Sequence, residues 1–576
     1  MRWLLILQGA NLHDAFLNLS EFKNADLTNT NLQGADLLGA DLQNAILNGA
    51  EFKNANLTET NLQGAELRRA SFDGAILRRT NLREADLQNA NLENASFLLT
   101  SQLAGADVAG AKLPSAIAEF KGLETIAEAT SNAQKLFVAM LGGCLYSWLT
   151  IGTTKDAALL TNSASSPLPI IGTALPIVGF YTVAPIVLLA MYFYFHLNMQ
   201  RLWEALADLP AVFPDGRSLD KRADPWLLNG LVSAHFVRLR RERPSLSRVQ
   251  QWLSILLAWW VVPTTLFVFW GRFLPRHDWF GTLLHVWLLA VATGFGWMSY
   301  RLARTTLRGA RREPYRWSHA ARDVRTYKRV AGILATGVLG TVLTVVSFGA
   351  IEGLPHDKMF TVRRSDVGAY SPRNLVPRFL PRIGFRTFAY LVEEDMSVRG
   401  SSWAESQAEY RDVKGANLDE ANMQYAFAEA AFLVNGKLRG AHLATAQFKK
   451  ANFSNADLNG VDLTDANLEG AILNKANLRN GRLQRADLSN ALLISANLSN
   501  SDLTGTKFAH ANLSDANLSS SNLTRAQLYG ADLTRANFAF AQLKGADLRT
   551  VKGLTKSQIQ SAATDERTLL PPDLPP

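Results

Sequence analysis

The sequence predicts a mixed fold in which two β-solenoids flank an α-helical transmembrane domain. Three observations lead to this prediction. A large apolar residue recurs every five residues in two blocks, 8–113 and 413–552. Long runs without charged residues fill much of the region between them, 134–351. The net charge of +9 is concentrated beside those runs, because residues 118–412 carry 33 Lys and Arg against 22 Asp and Glu.

The first block is the more regular of the two. Its apolar centres run from Leu12 to Phe97, which makes 18 units without a slip, and a one-residue insertion then moves the phase to Leu103. Most centres have Ala two positions before them and Asp or Asn between, as in Ala35-Asp36-Leu37. The second block repeats the pattern in 27 units from Leu418 to Leu548, with Ala428 in place of one large centre.

A five-residue period excludes an amphipathic helix. At 100° per residue, successive apolar pairs would rotate around the helix and leave no constant face. Two apolar positions separated by one residue instead point the same way along a strand. The polar and Gly positions that follow suit a turn. Each unit is therefore predicted to be a short strand and a corner.

These residues resemble the pentapeptide-repeat family, whose pattern is A(D/N)LXX. The resemblance implies a square, right-handed β-solenoid with four pentapeptides per coil and with the central Leu or Phe and the preceding Ala inside. At roughly 4.8 Å per coil the two blocks would be about 25 and 32 Å tall.

The open ends of such stacks need covering. Residues 114–133 are predicted to form a helical cap and linker, 352–412 a linker, and 553–576 a C-terminal cap with a Pro-rich tail. The apolar side of the first capping helix would consist of Ile117, Phe120, Leu123 and Ile126. The N-terminal end has no evident cap.

Five runs are long and apolar enough to cross a bilayer, which takes about 20 residues. The predicted spans are 136–154, 171–196, 250–271, 279–300 and 330–351. The protein is therefore predicted to be integral to a membrane and to contact its lipids, in bacteria the inner membrane.

Orientation follows from Lys and Arg in the loops, which concentrate on the cytoplasmic side. Loops 201–248 and 301–329 carry nine and ten, whereas loops 155–170 and 272–278 carry one and two. Five spans then place the first solenoid in the cytoplasm and the second outside. Losing one end span would put both on one side.

The membrane region also resembles an uncharacterised group of Gram-negative membrane proteins with flanking pentapeptide repeats. The matching segments are Ala223-Asp224-Pro225-Trp226 and Arg276-His277-Asp278-Trp279. This resemblance implies no assigned activity.

Four features of the membrane region are candidate sites, and each has a structural alternative. His285, and more weakly His196, could serve a proton relay or could simply be packed in the helix bundle. The arginines at 238, 240, 241 and 243 could bind lipid headgroups or only anchor the topology. The small residues Gly332, Thr336, Gly340 and Thr344 could serve a homodimer through span five or packing within one chain.

The sequence predicts no catalytic, cofactor-binding or metal-binding residue. The one cysteine, Cys144, excludes an internal disulfide and a thiolate metal cage. Nucleic acid is not predicted as a partner, and the net charge of −4 over residues 1–117 is too weak for DNA mimicry.

The favoured function is therefore a non-catalytic, membrane-anchored scaffold that binds unidentified protein partners on its solenoid faces. The alternatives are a transporter or channel regulated by the solenoids and, with less support, a membrane-bound enzyme of lipid or polysaccharide metabolism.

Overall fold

The structure is a computed structural model, and it describes most of the chain. The described residues are 5–120, 122–162, 165–167, 174–222, 247–307, 324–351, 389, 391, 394–397, 410 and 413–572. Two compact units divide the chain. One comprises Met1–Leu145, Val187–Thr264 and Ala290–Gly337, and the other comprises Tyr146–Ile186, Thr265–Leu289 and Val338–Pro576.

The first solenoid closes one coil every 20 residues. Parallel bridges join residues 20 apart, from Ile6 with Asp26 to Ile76 with Ser96. Within this ladder, the Leu47 N–H donates to the Glu66 carbonyl at 2.7 Å, and the Glu66 N–H donates to the Ala45 carbonyl at 2.9 Å. Four pentapeptides per coil are thus confirmed by the register.

The apolar centres lie inside, as the five-residue pattern predicts. From Ala25 to Leu92 the alanines and the large centres are almost fully buried. Residues one coil apart stack directly, so the rings of Phe52 and Phe72 lie 4.9 Å apart and nearly parallel. The corners explain the Asn and Gly that follow the centres, since Asn44 has φ 55° and Gly49 has φ 71°, which is the left-handed region these residues tolerate.

The insertion near residue 100 changes the register but leaves the stack intact. A 3₁₀ turn, Thr100–Leu103, takes up the additional residue, and the next bridges join residues 21 apart, such as Asp86 with Asp107. The Gln102 amide donates to the carbonyls of Leu77 and Thr80 at 2.7 and 2.9 Å. The carbonyls at this corner therefore keep hydrogen-bond donors.

The end of the first solenoid differs from the prediction of a separate helical cap at 114–133. A short helix, α1 (Ser115–Ala118), places Ile117 against the core, but the next helix, α2 (Gly122–Thr153), continues through the first predicted span. The cover comes instead from residues 209–214. Their strand pairs Val212 with Asp107 in parallel and with Ser218 in antiparallel orientation.

This added strand behaves as one more repeat unit. The Ala211 N–H donates to the Ala106 carbonyl at 2.8 Å, and the Val108 N–H donates to the Val212 carbonyl at 3.1 Å. Phe213 is fully buried and meets the ring of Phe120 edge to face at 5.0 Å. The open edge of the last coil is therefore paired, as an exposed sheet edge requires.

The second solenoid has the same 20-residue register, from Asn417 with Lys437 to Asp532 with Lys552. It begins earlier than predicted, because part of the supposed linker 352–412 pairs with it. The Phe427 N–H donates to the Ala389 carbonyl at 2.9 Å, and Asp395 bridges Phe432. Leu391 is fully buried in the solenoid core.

Residues 553–572 cover the other end of the second solenoid. A short helix, Lys556–Gln560, begins at a capping box formed by Thr555 and Gln558. The Gln558 amide donates to the carbonyls of Leu533 and Ala536 at 3.1 and 2.8 Å, as Gln102 does in the first solenoid. Bridges of Ala563 and Leu569 then continue the ladder.

Long apolar helices form the middle of the chain. After α2 come α3 (Asp156–Thr161), a small antiparallel pair of strands, β1 (Ser165–Pro167) and β2 (Ala174–Pro176), α4 (Ile177–Ala207), α5 (Leu219–Arg222), α6 (Ser247–Ile255), a π-helical segment (Leu256–Trp260), α7 (Val261–Phe273), a 3₁₀ turn (Leu274–Arg276), α8 (Trp279–Leu307) and α9 (Val324–Ile351). The second span was predicted to start at residue 171, whereas its helix starts at Ile177.

Four of these helical stretches are long and apolar enough to cross a membrane: Ile126–Thr153, Ile177–Ala207, Val249–Arg276 and Trp279–Leu307. Helices of sufficient length and apolar composition therefore lie at four of the five predicted spans. Within α9, the described apolar stretch Ala335–Phe348 is shorter.

Candidate functional site

Each solenoid presents flat faces made of side-chain ladders. On one face of the second solenoid the Asn517 amide donates to Asn497 at 3.4 Å, and the Asn497 amide donates to Asn477 at 3.3 Å. The Asn477 amide donates in turn to the Asp457 carboxylate at 2.9 Å. Since stacked residues lie one coil apart, identical polar groups recur at a constant spacing along the face.

Several charged side chains on the solenoid faces form ion pairs across one coil. Arg485 bonds Asp465 and Arg535 bonds Asp515 through guanidinium–carboxylate contacts of 2.6 Å, each across one coil. In the first solenoid Arg79 meets Glu59 at 3.1 Å. In each of these three pairs the two charges neutralise each other.

Hydrogen bonding also lowers the pKa of some carboxyl groups of the second solenoid, which holds them in their charged form. The Thr534 hydroxyl and backbone N–H donate to Asp532 and lower the pKa of its carboxyl. The Arg535 guanidinium lowers the pKa of Asp515. A carboxyl whose pKa is lower in the folded state stabilises the fold above its unfolded pKa, and this contribution is lost as the pH falls through the folded pKa.

His285, one of the two candidate histidines, lies on α8 and is almost fully buried. Its Nδ1 lies 2.7 Å from the Gly281 carbonyl and its Nε2 lies 2.9 Å from the Tyr181 carbonyl. The ring of Phe273 is 5.0 Å away. Both ring nitrogens therefore lie within hydrogen-bond distance of backbone carbonyl oxygens, and a neutral imidazole can donate to only one of the two.

His196 lies within α4 rather than at its end, and it is also buried. Neither of its ring nitrogens has a hydrogen-bond partner among the described residues. Its ring packs 4.5 Å from Tyr192 and 5.2 Å from Trp259, which belongs to the π-helical segment. A π-helical turn interrupts the regular backbone hydrogen bonding of an α-helix. The carbonyl of Trp259, which lies in this turn, accepts a hydrogen bond from the Tyr192 hydroxyl at 3.0 Å.

Gly296 makes room for this contact. A β-carbon at Gly296 would lie 2.3 Å from the Tyr192 hydroxyl oxygen, closer than atoms can approach. Sequence reasoning missed this junction of α4, the π-helical segment and α8, since neither the π-helical turn nor the close approach has a signal in the apolar pattern.

One of the small residues of α9, Thr336, packs closely against α8 within the chain. The hydroxyl and methyl groups of Thr336 lie 3.3 Å from the place a β-carbon would occupy on Gly294 of α8. The predicted homodimer through this helix remains a prediction. The arginine cluster at 238, 240, 241 and 243 lies outside the described residues.

The described residues contain no group of three or more His, Cys, Asp or Glu side chains placed to hold a metal ion. The carboxylates of the solenoids serve mainly the ladders and turns. The fold and its faces thus define a protein with two repeat solenoids joined through apolar helices.

The comparisons identify the repeats. The model of the pentapeptide repeat family matches residues 6–38, 35–74, 60–97, 433–470, 471–509 and 511–549. Both solenoids of this chain therefore belong to the pentapeptide-repeat family. No curated protein matches the chain.

Solved structures with similarity to this chain are pentapeptide repeat proteins. HetL, involved in heterocyst differentiation regulation in the cyanobacterium Nostoc sp. strain PCC 7120, is 26% identical, with 28% of this chain and 86% of HetL covered and a TM-score of 0.16. A protein of the Arabidopsis thaliana thylakoid lumen is 32% identical, with 18% and 69% covered and a TM-score of 0.15. The plasmid-mediated fluoroquinolone resistance protein QnrB1 is 18% identical, with 31% and 90% covered and a TM-score of 0.20.

Proposed function

We propose that this chain is a non-catalytic, membrane-anchored scaffold that holds protein partners on the faces of two solenoids. The observation that carries the proposal is the pair of rigid stacks, each with regular polar ladders, in one chain with four long apolar helices. Repeat stacks of this kind offer extended surfaces suited to docking. The ladders satisfy their own hydrogen bonds, so a partner can bind without reorganising them.

Membrane anchoring is supported by the surfaces of the helices. Large apolar side chains remain exposed on them, including Val138, Leu149, Phe280 and Trp287. An exposed apolar surface of this extent is unfavourable in water and suits the lipid interior.

We expect the protein to stay with the membrane pellet after a carbonate or high-salt wash, because apolar spans are not released by breaking ionic contacts. Immunoblotting of pellet and supernatant measures this. A peripheral membrane protein from the same cells serves as the control that must be released. Recovery of this chain in the wash would contradict membrane spanning.

We further propose that α9, a helix of 28 residues, also crosses the membrane, so that the first solenoid is cytoplasmic and the second lies on the other side. The first solenoid pairs with residues 209–214, which follow α4 in a basic loop. The second contacts Lys155 through Glu394 at 3.2 Å and His277 through Asn422 at 3.3 Å. Those two residues lie in weakly basic loops before α4 and after α7, and basic loops favour the cytoplasm.

Affinity capture from solubilised membranes tests the scaffold. We expect Phe52→Asp and Leu478→Asp, which place a carboxylate in the first and second core, each to lose the partners of that solenoid. The neighbouring exposed substitutions Lys53→Asp and Arg479→Asp should retain them. Quantitative mass spectrometry of the captured proteins gives the measurement. An unchanged set of proteins after both core substitutions are combined would refute the proposal.

A further inference from the structure

Two of the long apolar helical stretches contain a proline away from their ends. Pro185 lies in α4, and Pro263 lies in α7 within the continuous helical stretch Val249–Arg276. Proline has no backbone N–H, so it cannot donate to the carbonyl four residues earlier in the helix. The carbonyls that lose this regular donor are those of Tyr181 and Trp259.

The Tyr181 carbonyl receives a donor from another helix. His285 of α8 has its Nε2 at 2.9 Å from this oxygen. The His285 Nδ1 lies 2.7 Å from the carbonyl of Gly281, which stands four residues earlier in α8 and is the regular acceptor of the His285 backbone N–H. The Tyr181 carbonyl is therefore the acceptor that needs the ring proton, and this places the proton of a neutral ring on Nε2.

The Trp259 carbonyl is also served by a side chain of a neighbouring helix. The Tyr192 hydroxyl of α4 donates to this oxygen at 3.0 Å. Gly296 of α8 leaves room for the hydroxyl, because a β-carbon at this position would lie 2.3 Å from the hydroxyl oxygen. At both prolines, a polar side chain from a second helix thus replaces the hydrogen bond that the backbone cannot make.

Both replacements lie in an apolar interior that is almost closed to water. Tyr181 and Tyr192 are fully buried, and His285 and Trp259 are 2% and 4% exposed. The ring of Phe273 packs 5.0 Å from that of His285. A carbonyl left unpaired in such surroundings loses its hydration without compensation, which costs more than an ordinary hydrogen bond contributes. The two side-chain donors are therefore needed to satisfy the helix backbone.

We propose that His285 and Tyr192 are side-chain locks that close the backbone gaps left by Pro185 and Pro263. A helix bends most readily at an interior proline, because one backbone hydrogen bond is missing there. Each lock ties that point to a second helix and so fixes the bend of the helix it serves. Release of a lock would free a hinge within the helical region. This inference is separate from the scaffold function.

Two double-mutant cycles test the locks in the full-length, detergent-solubilised protein. Hydrogen exchange is read by mass spectrometry in peptides that cover the backbone next to each proline. We expect Tyr192→Phe, which removes only the hydroxyl, to accelerate exchange about ten-fold or more beside Pro263, since a buried acceptor is left unpaired. In the Pro263→Ala background the same substitution should have little effect, because the alanine supplies the backbone N–H that the Trp259 carbonyl lacks.

His285→Leu should act in the same way beside Pro185, and Pro185→Ala should cancel its effect. His285→Gln should retain protection, because the glutamine amide nitrogen is as many bonds from the backbone as Nε2 and can donate. The matched controls exchange the prolines: Pro185→Ala should not rescue Tyr192→Phe, and Pro263→Ala should not rescue His285→Leu. Unchanged exchange in both lock variants, effects that add instead of cancelling, or rescue by either proline substitution alike would each overturn the proposal.

Discussion

Replacing Leu478 with Asp should unfold the second solenoid. Leu478 is fully buried, and its loss removes about 2–5 kcal/mol of packing. The carboxylate adds a further cost of several kcal/mol because the interior offers it no cation. The sum is comparable with the total stability of a typical domain, about 5–15 kcal/mol. Hydrogen exchange of the full-length protein, read in peptides from 413–552, should show loss of protection.

The matched control is Arg479→Asp at the next residue, whose side chain is exposed. We expect its exchange to stay within the range of the unchanged protein, since surface substitutions usually cost less than about 0.5 kcal/mol. Equal tolerance of Asp at 478 and 479 would show that the leucines do not point inward.

The second prediction with a large expected effect concerns membrane topology. It is tested by the labelling of introduced cysteines with a membrane-impermeant maleimide. With Cys144 replaced by Ser, we expect Arg479→Cys to be labelled in intact spheroplasts and Lys53→Cys to be spared until lysis. The two positions match, because each directly follows a buried centre and is exposed. Gln88 and Gln484 also directly follow buried centres but are less suitable for labelling. Both are half-buried, and their amides donate to Asp107 and Asp502 at 2.7 Å.

The labelling measures topology directly, by mass shift on a gel. If neither cysteine reacts before lysis and both react afterwards, both solenoids are cytoplasmic and an end helix does not cross. Labelling of Lys53→Cys alone in intact spheroplasts would reverse the proposed orientation.

The solenoids were predictable because their pattern is local and repeated. Each Ala-x-Leu unit places its side chains inward by strand geometry alone, so the core from Ala25 to Leu92 followed from the five-residue period. The insertion near residue 100 was also visible as a change of phase. What the repeat could not reveal is which distant segments cover the end of the first solenoid and the start of the second.

Those covering segments carry a weak form of the same signal. Ala211-Val212-Phe213 and Ala389-Tyr390-Leu391 each contain Ala two positions before a large apolar residue, and the named alanines, Phe213 and Leu391 are buried. A single unit recurs by chance too often to be recognised without neighbours in phase. The contact between His277 and Asn422 was likewise beyond prediction, because these two residues meet only through the fold.

The strand at 209–214 also determines when the first solenoid can finish folding during synthesis. Val212 pairs with Asp107 but follows it by 105 residues, and α2 and α4 lie between them. At roughly 5–20 residues per second, a ribosome needs roughly 5–20 s to make that stretch. Until then the last coil exposes an unpaired edge to the nascent chain's surroundings. We therefore expect the first solenoid to mature only after α4 has been synthesised, so that membrane insertion precedes the closing of a domain encoded before it.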